Sequence, residues 1–173
     1  LICLRKVFNH CDYIAVNISS PNTPQLRDLH SDDNIRELLD AIKNESQKLG
    51  TFKPIFLKIS PDESNETIEN ISNLIELSSL SGLIVSNTTL DKSSLNKSKK
   101  NFEGGLSGAP LMKKSTEMIK KISTKHPSMP IIGVGGVLKK DDFLKKIEFG
   151  ASVVQIYSGF IIKGPKIVNE ILQ

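Results

Sequence analysis

The sequence is poor in the residues that several function classes require. Its 173 residues include no Trp, 5% aromatics, two cysteines and three histidines. Cys3 and Cys11 cannot build a disulfide framework or a four-cysteine zinc site. They are expected to be buried thiols in a reducing compartment. No run of 18 apolar residues is present, which excludes a transmembrane helix within this stretch. His10, His30 and His126 share no motif with other ligand-type residues, which speaks against a metal site. The net charge is +4, from 23 basic and 19 acidic residues. The basic residues are mostly lysines in doublets, such as Lys113-Lys114, Lys139-Lys140 and Lys145-Lys146, spread along the chain among acids. They are expected on solvated helix faces. Without clustered Arg and interleaved aromatics, no nucleic-acid partner is expected. The chain opens on Leu1 rather than Met, with no signal-peptide order, so its true N-terminus and any targeting sequence are expected to lie outside it.

What is present is an alternation. Apolar, β-branched runs fall at Tyr13 to Ile18, Pro54 to Ile59, Gly82 to Val85, Pro130 to Val134 and Ser152 to Tyr157. Several lack a polar alternation, as strands buried on both faces do. Between them lie helical spacings: Ile35, Leu38, Leu39 and Ile42 after Ser31-Asp32-Asp33; Ile68, Ile71 and Ile75 after Ser64; Met118, Ile119 and Ile122 after Pro110 and Ser115; Phe143, Leu144 and Ile147 ending at Gly150; Ile167, Val168 and Ile171 after Pro165. Strand and helix in turn predict a parallel α/β sheet with crossover helices. Two architectures satisfy this: a doubly wound sheet, or part of a β/α barrel, whose full form takes about 250 residues. Residues 91 to 104 are polar and aperiodic and are expected to form a long loop. No linker divides the chain, so residues 1 to 173 are taken as one partial domain.

In both architectures ligands sit at the carboxyl ends of the strands. Those ends read Asn17-Ile18-Ser19-Ser20-Pro21-Asn22-Thr23-Pro24, Lys58-Ile59-Ser60-Pro61-Asp62, Ser86-Asn87-Thr88-Thr89, Gly133-Val134-Gly135-Gly136 and Gln155-Ile156-Tyr157-Ser158-Gly159. The set is rich in amides and hydroxyls, which suit a flat polar ring. It is poor in carboxylates: Asp62 alone stands near these ends, where an Asp after Pro is ordinary turn chemistry. Lys58 ends an apolar strand, where its charge is costly unless an anion meets it. The glycines let backbone N–H groups approach a phosphate.

These segments, with Gly104-Gly105-Leu106-Ser107-Gly108, occur in the order in which they stand in class 2 dihydroorotate dehydrogenases, and the chain resembles that family along nearly its whole length. The Lys163-Gly164-Pro165 ending is more similar to bacterial members than to animal ones. The resemblance implies an eight-fold β/α barrel, of which about the last five units are present here, binding flavin mononucleotide (FMN). It implies oxidation of dihydroorotate to orotate in pyrimidine biosynthesis, with a quinone as electron acceptor. Ser20 aligns with the catalytic base that takes the C5 proton while hydride leaves C6, and Thr23 with a relay through water. Asn17 would touch flavin and substrate, and Asn22, Asn87 and Thr88 the pyrimidine. Lys58 would stand at the flavin N1/O2 edge, Ser86 and Gly108 would contact flavin, and Gly136, Tyr157 and Ser158 its phosphate.

The serine at position 20 carries the class, because related soluble enzymes use Cys there. Class 2 implies peripheral membrane association through an N-terminal region not in this chain, at the cytoplasmic face of a bacterial inner membrane or, in a eukaryote, at the mitochondrial inner membrane. The family's earlier strands, with further flavin contacts and another substrate asparagine, have no counterpart here. Alone the chain is expected to be unstable and inactive. Two alternatives stay open: a related flavin barrel with another electron acceptor, and a non-catalytic truncated product.

Overall fold

In a computed structural model of the chain, the described residues are 1–20, 32–50, 52–78, 80–96, 101 and 103–173. Five parallel strands form one sheet in chain order: β1 (Ile14–Asn17), β2 (Ile55–Ile59), β3 (Gly82–Val85), β4 (Ile131–Val134) and β5 (Val153–Gln155). Their register pairs Asn17 with Lys58, Ile59 with Val85, Val85 with Gly133 and Val134 with Gln155. The order decides between the two architectures. A doubly wound sheet reverses direction at a switch point, whereas a barrel adds each strand on the same side as the last. The sheet has no reversal, so it is an arc of a β/α barrel.

The crossovers are α2 (Asp32–Lys48), α3 (Asn65–Leu77), α4 (Met112–Lys125) and α5 (Lys140–Glu148), preceded by α1 (Ile2–Val7) and followed by α6 (Ser158–Lys163) and α7 (Lys166–Leu172). Helix α3 starts where its sequence signals a cap: the Ser64 hydroxyl accepts from the Thr67 N–H at 3.0 Å. Helices α1 and α6 have six residues each, too short to show a repeat, and periodicity does not signal them. Residues 91–96 carry no helix or strand, as expected of the first part of the long loop.

The core lies between the sheet's helix-covered face and the helices. Ile55, Leu57 and Ile59 of β2, Leu83 and Val85 of β3, and Ile131 of β4 meet Ile35, Leu39, Ile71, Ile75, Met118, Ile119 and Ile122. Burying each such side chain stabilises by about 1.5–3 kcal/mol. The opposite face is covered unevenly. All of β3 is buried, but β1 alternates half-buried with exposed residues and Val153 on β5 is 58% exposed. The expectation of strands buried on both faces therefore holds best at the middle of the arc and fails at its edges, beyond which no further strand pairs among the described residues.

Two placements depart from expectation. Cys3 is exposed and Cys11 half-buried, not core thiols. Leu4 on the short α1, and Phe8 directly after it, take the buried positions and leave Cys3 facing outward. On α5, Leu144 and Ile147 are exposed while Lys146, expected on a solvated face, is fully buried. The helix turns Lys146 inward against β4, where Gly133 makes room: a Cβ there would lie 3.3 Å from the lysine Cδ.

Candidate functional site

The sheet's pleat and register bring the predicted residues together. Asn17 ends β1 and Lys58 is its register partner on β2, so both belong to the same pleat row. Ser86, Asn87 and Thr88 follow β3 directly, after a cis Val85–Ser86 peptide. The Asn87 amide donates to Asn17 Oδ1 at 3.1 Å and to Ser19 Oγ at 3.2 Å. The Ser19 hydroxyl donates to the Lys58 carbonyl at 2.8 Å. Asn87 is held from both sides, because its N–H donates to the Ile59 carbonyl and its Oδ1 accepts from the Thr88 N–H at 2.8 Å. Ser86 is buried and its N–H donates to the Val134 carbonyl, which fixes the β3 exit against β4.

Lys58 supplies the charge of this cluster. It is half-buried, and burial holds its pKa below the ordinary lysine value. Among the described residues no carboxylate pairs with it. A half-buried ammonium without a counter-ion favours an anion or an electron-rich ring edge beside it.

A cavity of about 230 Å³ runs from Lys58, Ser86, Asn87 and Thr88 to Gly108, Gly136, Tyr157 and Ser158. Its far end is built from backbone. Gly136 has φ +79°, and a Cβ there would fall 2.5 Å from that of Met112, so only glycine lets the loop lie on the start of α4. Ser158 opens α6 and its hydroxyl bonds that of Ser107 at 2.9 Å, which gives Ser107 a place at the site that its sequence context does not indicate. Tyr157 is 77% exposed and is not a core residue. Ser20 follows the buried Ser19 just beyond β1 and is itself half-buried. Asn22 and Thr23 lie outside the described residues.

Two further features escape the sequence reading. Ser19 stands beside the predicted base but ties three strands together. Asp62 is more than a turn residue: its carboxylate accepts from the Leu90 N–H at 2.7 Å and from the Thr89 hydroxyl, and pairs with Lys114 at 2.5 Å. It thereby pins the segment after Asn87 and Thr88 to the end of β2 and to α4. Burial raises its pKa, but Lys114, Thr89 and the Leu90 N–H outweigh this and leave it below the usual carboxylate value. Spacing alone could not reveal an ion pair across 52 residues. Among the described residues, no helix is long and apolar enough to cross a membrane.

Comparison with known proteins identifies the family of the fold. The family model described as dihydroorotate dehydrogenase matches residues 1–173. A dihydroorotate dehydrogenase (quinone) of Shewanella oneidensis is 48% identical over all of this chain and 53% of its own length. One of Christiangramia forsetii is 42% identical over 96% of this chain and 49% of its own. The crystal structure of ligand-free DHODH from Eimeria tenella superimposes with a TM-score of 0.91 at 33% identity, over 97% of this chain and 51% of that one. The chain thus spans about half the length of the curated relatives it matches. With the family model covering every residue, the chain belongs to the dihydroorotate dehydrogenase family.

Proposed function

We propose that the protein containing this chain oxidises dihydroorotate to orotate with FMN as cofactor and a quinone as electron acceptor, in pyrimidine biosynthesis. The observation that carries the reading is that Lys58 and Asn87, from neighbouring strand ends, line one cavity that ends at the Gly135–Gly136 loop, with Asn17 hydrogen-bonded to Asn87 beside it. Relatives of this chain described as dihydroorotate dehydrogenase (quinone) support the substrate and the acceptor. A quinone dissolves in lipid, so the protein is proposed to work at a membrane surface.

The donor set suits FMN. Gly136 lines the far end of the cavity, where backbone N–H groups would meet a phosphate, and the uncompensated ammonium of Lys58 suits the electron-rich edge of a flavin. Gly136, Tyr157 and Ser158 would hold the phosphate, and Asn17, Lys58, Ser86 and Gly108 the ring system. Bound FMN supplies the acceptor for the hydride that leaves C6 of the substrate. Asn17, Asn22, Asn87 and Thr88 hold the pyrimidine flat through amide and hydroxyl contacts, which present both donors and acceptors. Ser20 takes the C5 proton. A neutral hydroxyl is a weak base, so Ser20 passes its own proton on through Thr23 and water. Lys58 contributes a fixed positive charge that requires no reorganisation during the reaction.

The test is anaerobic mixing of FMN-loaded protein, expressed from its natural gene, with dihydroorotate. The flavin absorbance of the wild type should bleach and return on adding a quinone. The Ser20→Ala variant should keep its flavin yet fail to bleach. Protein that never takes up FMN, or a Ser20→Ala variant that bleaches normally, would overturn the reading. Return of colour with fumarate or a nicotinamide cofactor but not with a quinone would overturn the assigned acceptor.

A further inference from the structure

Lys146 is fully buried between α5, α4 and β4, and nothing in the proposed chemistry uses it. Its ammonium donates to the Ser115 hydroxyl at 2.7 Å and to the Thr116 hydroxyl at 3.1 Å. Among the described residues no carboxylate lies within ion-pair distance of it. The charged group acting on it is Asp142, one turn earlier on α5, whose carboxylate caps the N–H groups of Leu138 and Lys139. From α4 it meets only hydroxyls, and from β4 the bare Gly133. Burial pushes its pKa down to about 8, against the pull of Asp142, so the ammonium form persists at neutral pH. A lone buried charge is expensive, and a core position filled by Leu or Met would avoid the cost.

The next link leads to the cavity. Ser115 Oγ lies 3.3 Å from the Gly135 carbonyl and 3.3 Å from the Met112 carbonyl of its own helix, so its one proton is shared between the two. The Gly135–Gly136 peptide is trans, so its N–H points opposite to that carbonyl. The carbonyl faces Ser115 and the core, and the Gly136 N–H faces away from them. Among the described residues that N–H has no partner. Hydrogen bonds in a chain polarise one another, most strongly at low dielectric. A cation feeding Ser115, and Ser115 feeding the carbonyl, makes the N–H at the other end of the same peptide a stronger donor.

We propose that Lys146 is a positioning residue for the phosphate-monoester end of the cavity: through Ser115 it orients and polarises the Gly135–Gly136 peptide so that the Gly136 N–H binds the anion more tightly. The proposal deepens the flavin reading and rests on it. Lys146 touches no ligand and acts through two other groups.

FMN and riboflavin differ only in the phosphate, so the ratio of their affinities isolates this end of the site. The measurement is flavin fluorescence titration of apoprotein expressed from its natural gene. Lys146→Met should weaken FMN binding about two- to threefold, a fraction of the worth of one hydrogen bond, and leave riboflavin binding unchanged. Ser115→Ala, a smaller change that reads the same relay should the lysine variant not fold, should lower the ratio similarly. Adding Lys146→Met to Ser115→Ala should lower it no further. A purely structural lysine would weaken both flavins together, or neither, and either result overturns the proposal. So does a double variant whose losses add. A wild type that binds neither flavin overturns the flavin reading and this proposal with it.

Discussion

The side-chain amide of Asn87 donates to that of Asn17 across 3.1 Å, joining the carboxyl ends of β3 and β1 over the intervening β2. Both amides are proposed to face the pyrimidine, so the bond orients one binding group with the other. Asn87→Ala removes it together with the contact to Ser19. Orotate binding should weaken by about tenfold or more, equivalent to roughly 1–2 kcal/mol for the lost hydrogen bonds, with FMN retained. Titrating the flavin spectrum with orotate measures this. Unchanged orotate affinity would remove Asn87 from the substrate site.

Lys58 should cost the empty protein stability at neutral pH. Burial lowers its folded pKa, whereas the unfolded chain keeps the ordinary lysine value near ~10.4. Between those two values the unfolded state binds more protons, so this group's contribution to stability rises with pH through that window. Lys58→Met lacks the term. Thermal midpoints of the apoprotein should show the variant at least as stable as wild type at pH 7, with the balance shifting towards wild type by pH 10. The same variant should slow flavin reduction by about 100-fold, because a preorganised charge is lost. A variant that is less stable at pH 7 yet reduces flavin normally would make the lysine a structural element.

Much of this was legible from residue order because barrel chemistry is local in sequence. Each strand ends within a few residues of the groups it presents, so Asn17, Lys58, Asn87 and Gly136 could be picked out in turn. The alternation of strand and helix gave a parallel sheet but left its winding open, since strand order depends on pairings between distant segments. Ser19, Asp62 and Lys146 stayed hidden for the same reason. The roles of Ser19 and Asp62 lie in partners 39 to 68 residues away for the one and 27 to 52 for the other. Lys146 looks like half of an ordinary surface doublet, and only the space left by Gly133 turns it inward. Cys3 was misplaced because a one-and-a-half-turn helix offers too little period to tell its inner face from its outer.

Asp62 should set the stability of the segment that carries Asn87 and Thr88. Its folded pKa lies below the usual value, so its contribution is fully present above the unfolded pKa of about 3.9 and is lost as pH falls through the folded value. Asp62→Asn keeps the shape but drops the charge that Lys114 and the Leu90 N–H meet. The loss should be about 1–2 kcal/mol at pH 7, discounted because both side chains are partly solvated. Urea midpoints measured from pH 7 down to pH 3 should show the gap between variant and wild type closing at the acid end. A gap that stays constant across that range would mean that shape alone anchors the loop.

Two glycines with similar positive φ separate close packing from conformational strain. Gly136 has φ +79° and Gly164 φ +72°, so alanine at either must adopt a positive φ that side chains disfavour, costing roughly 1–3 kcal/mol. Around Gly164 nothing lies within 4 Å of a new Cβ, whereas at Gly136 it would fall 2.6 Å from the Met112 backbone nitrogen. Gly136→Ala must therefore push the loop off the start of α4, adding about 1–3 kcal/mol of overpacking. Chemical denaturation should rank Gly136→Ala well below Gly164→Ala, and only the former should lose FMN affinity. Equal losses of stability would show that the cradle yields to a methyl group, and the tight approach of loop and helix would then not be what shapes the cavity's anion end.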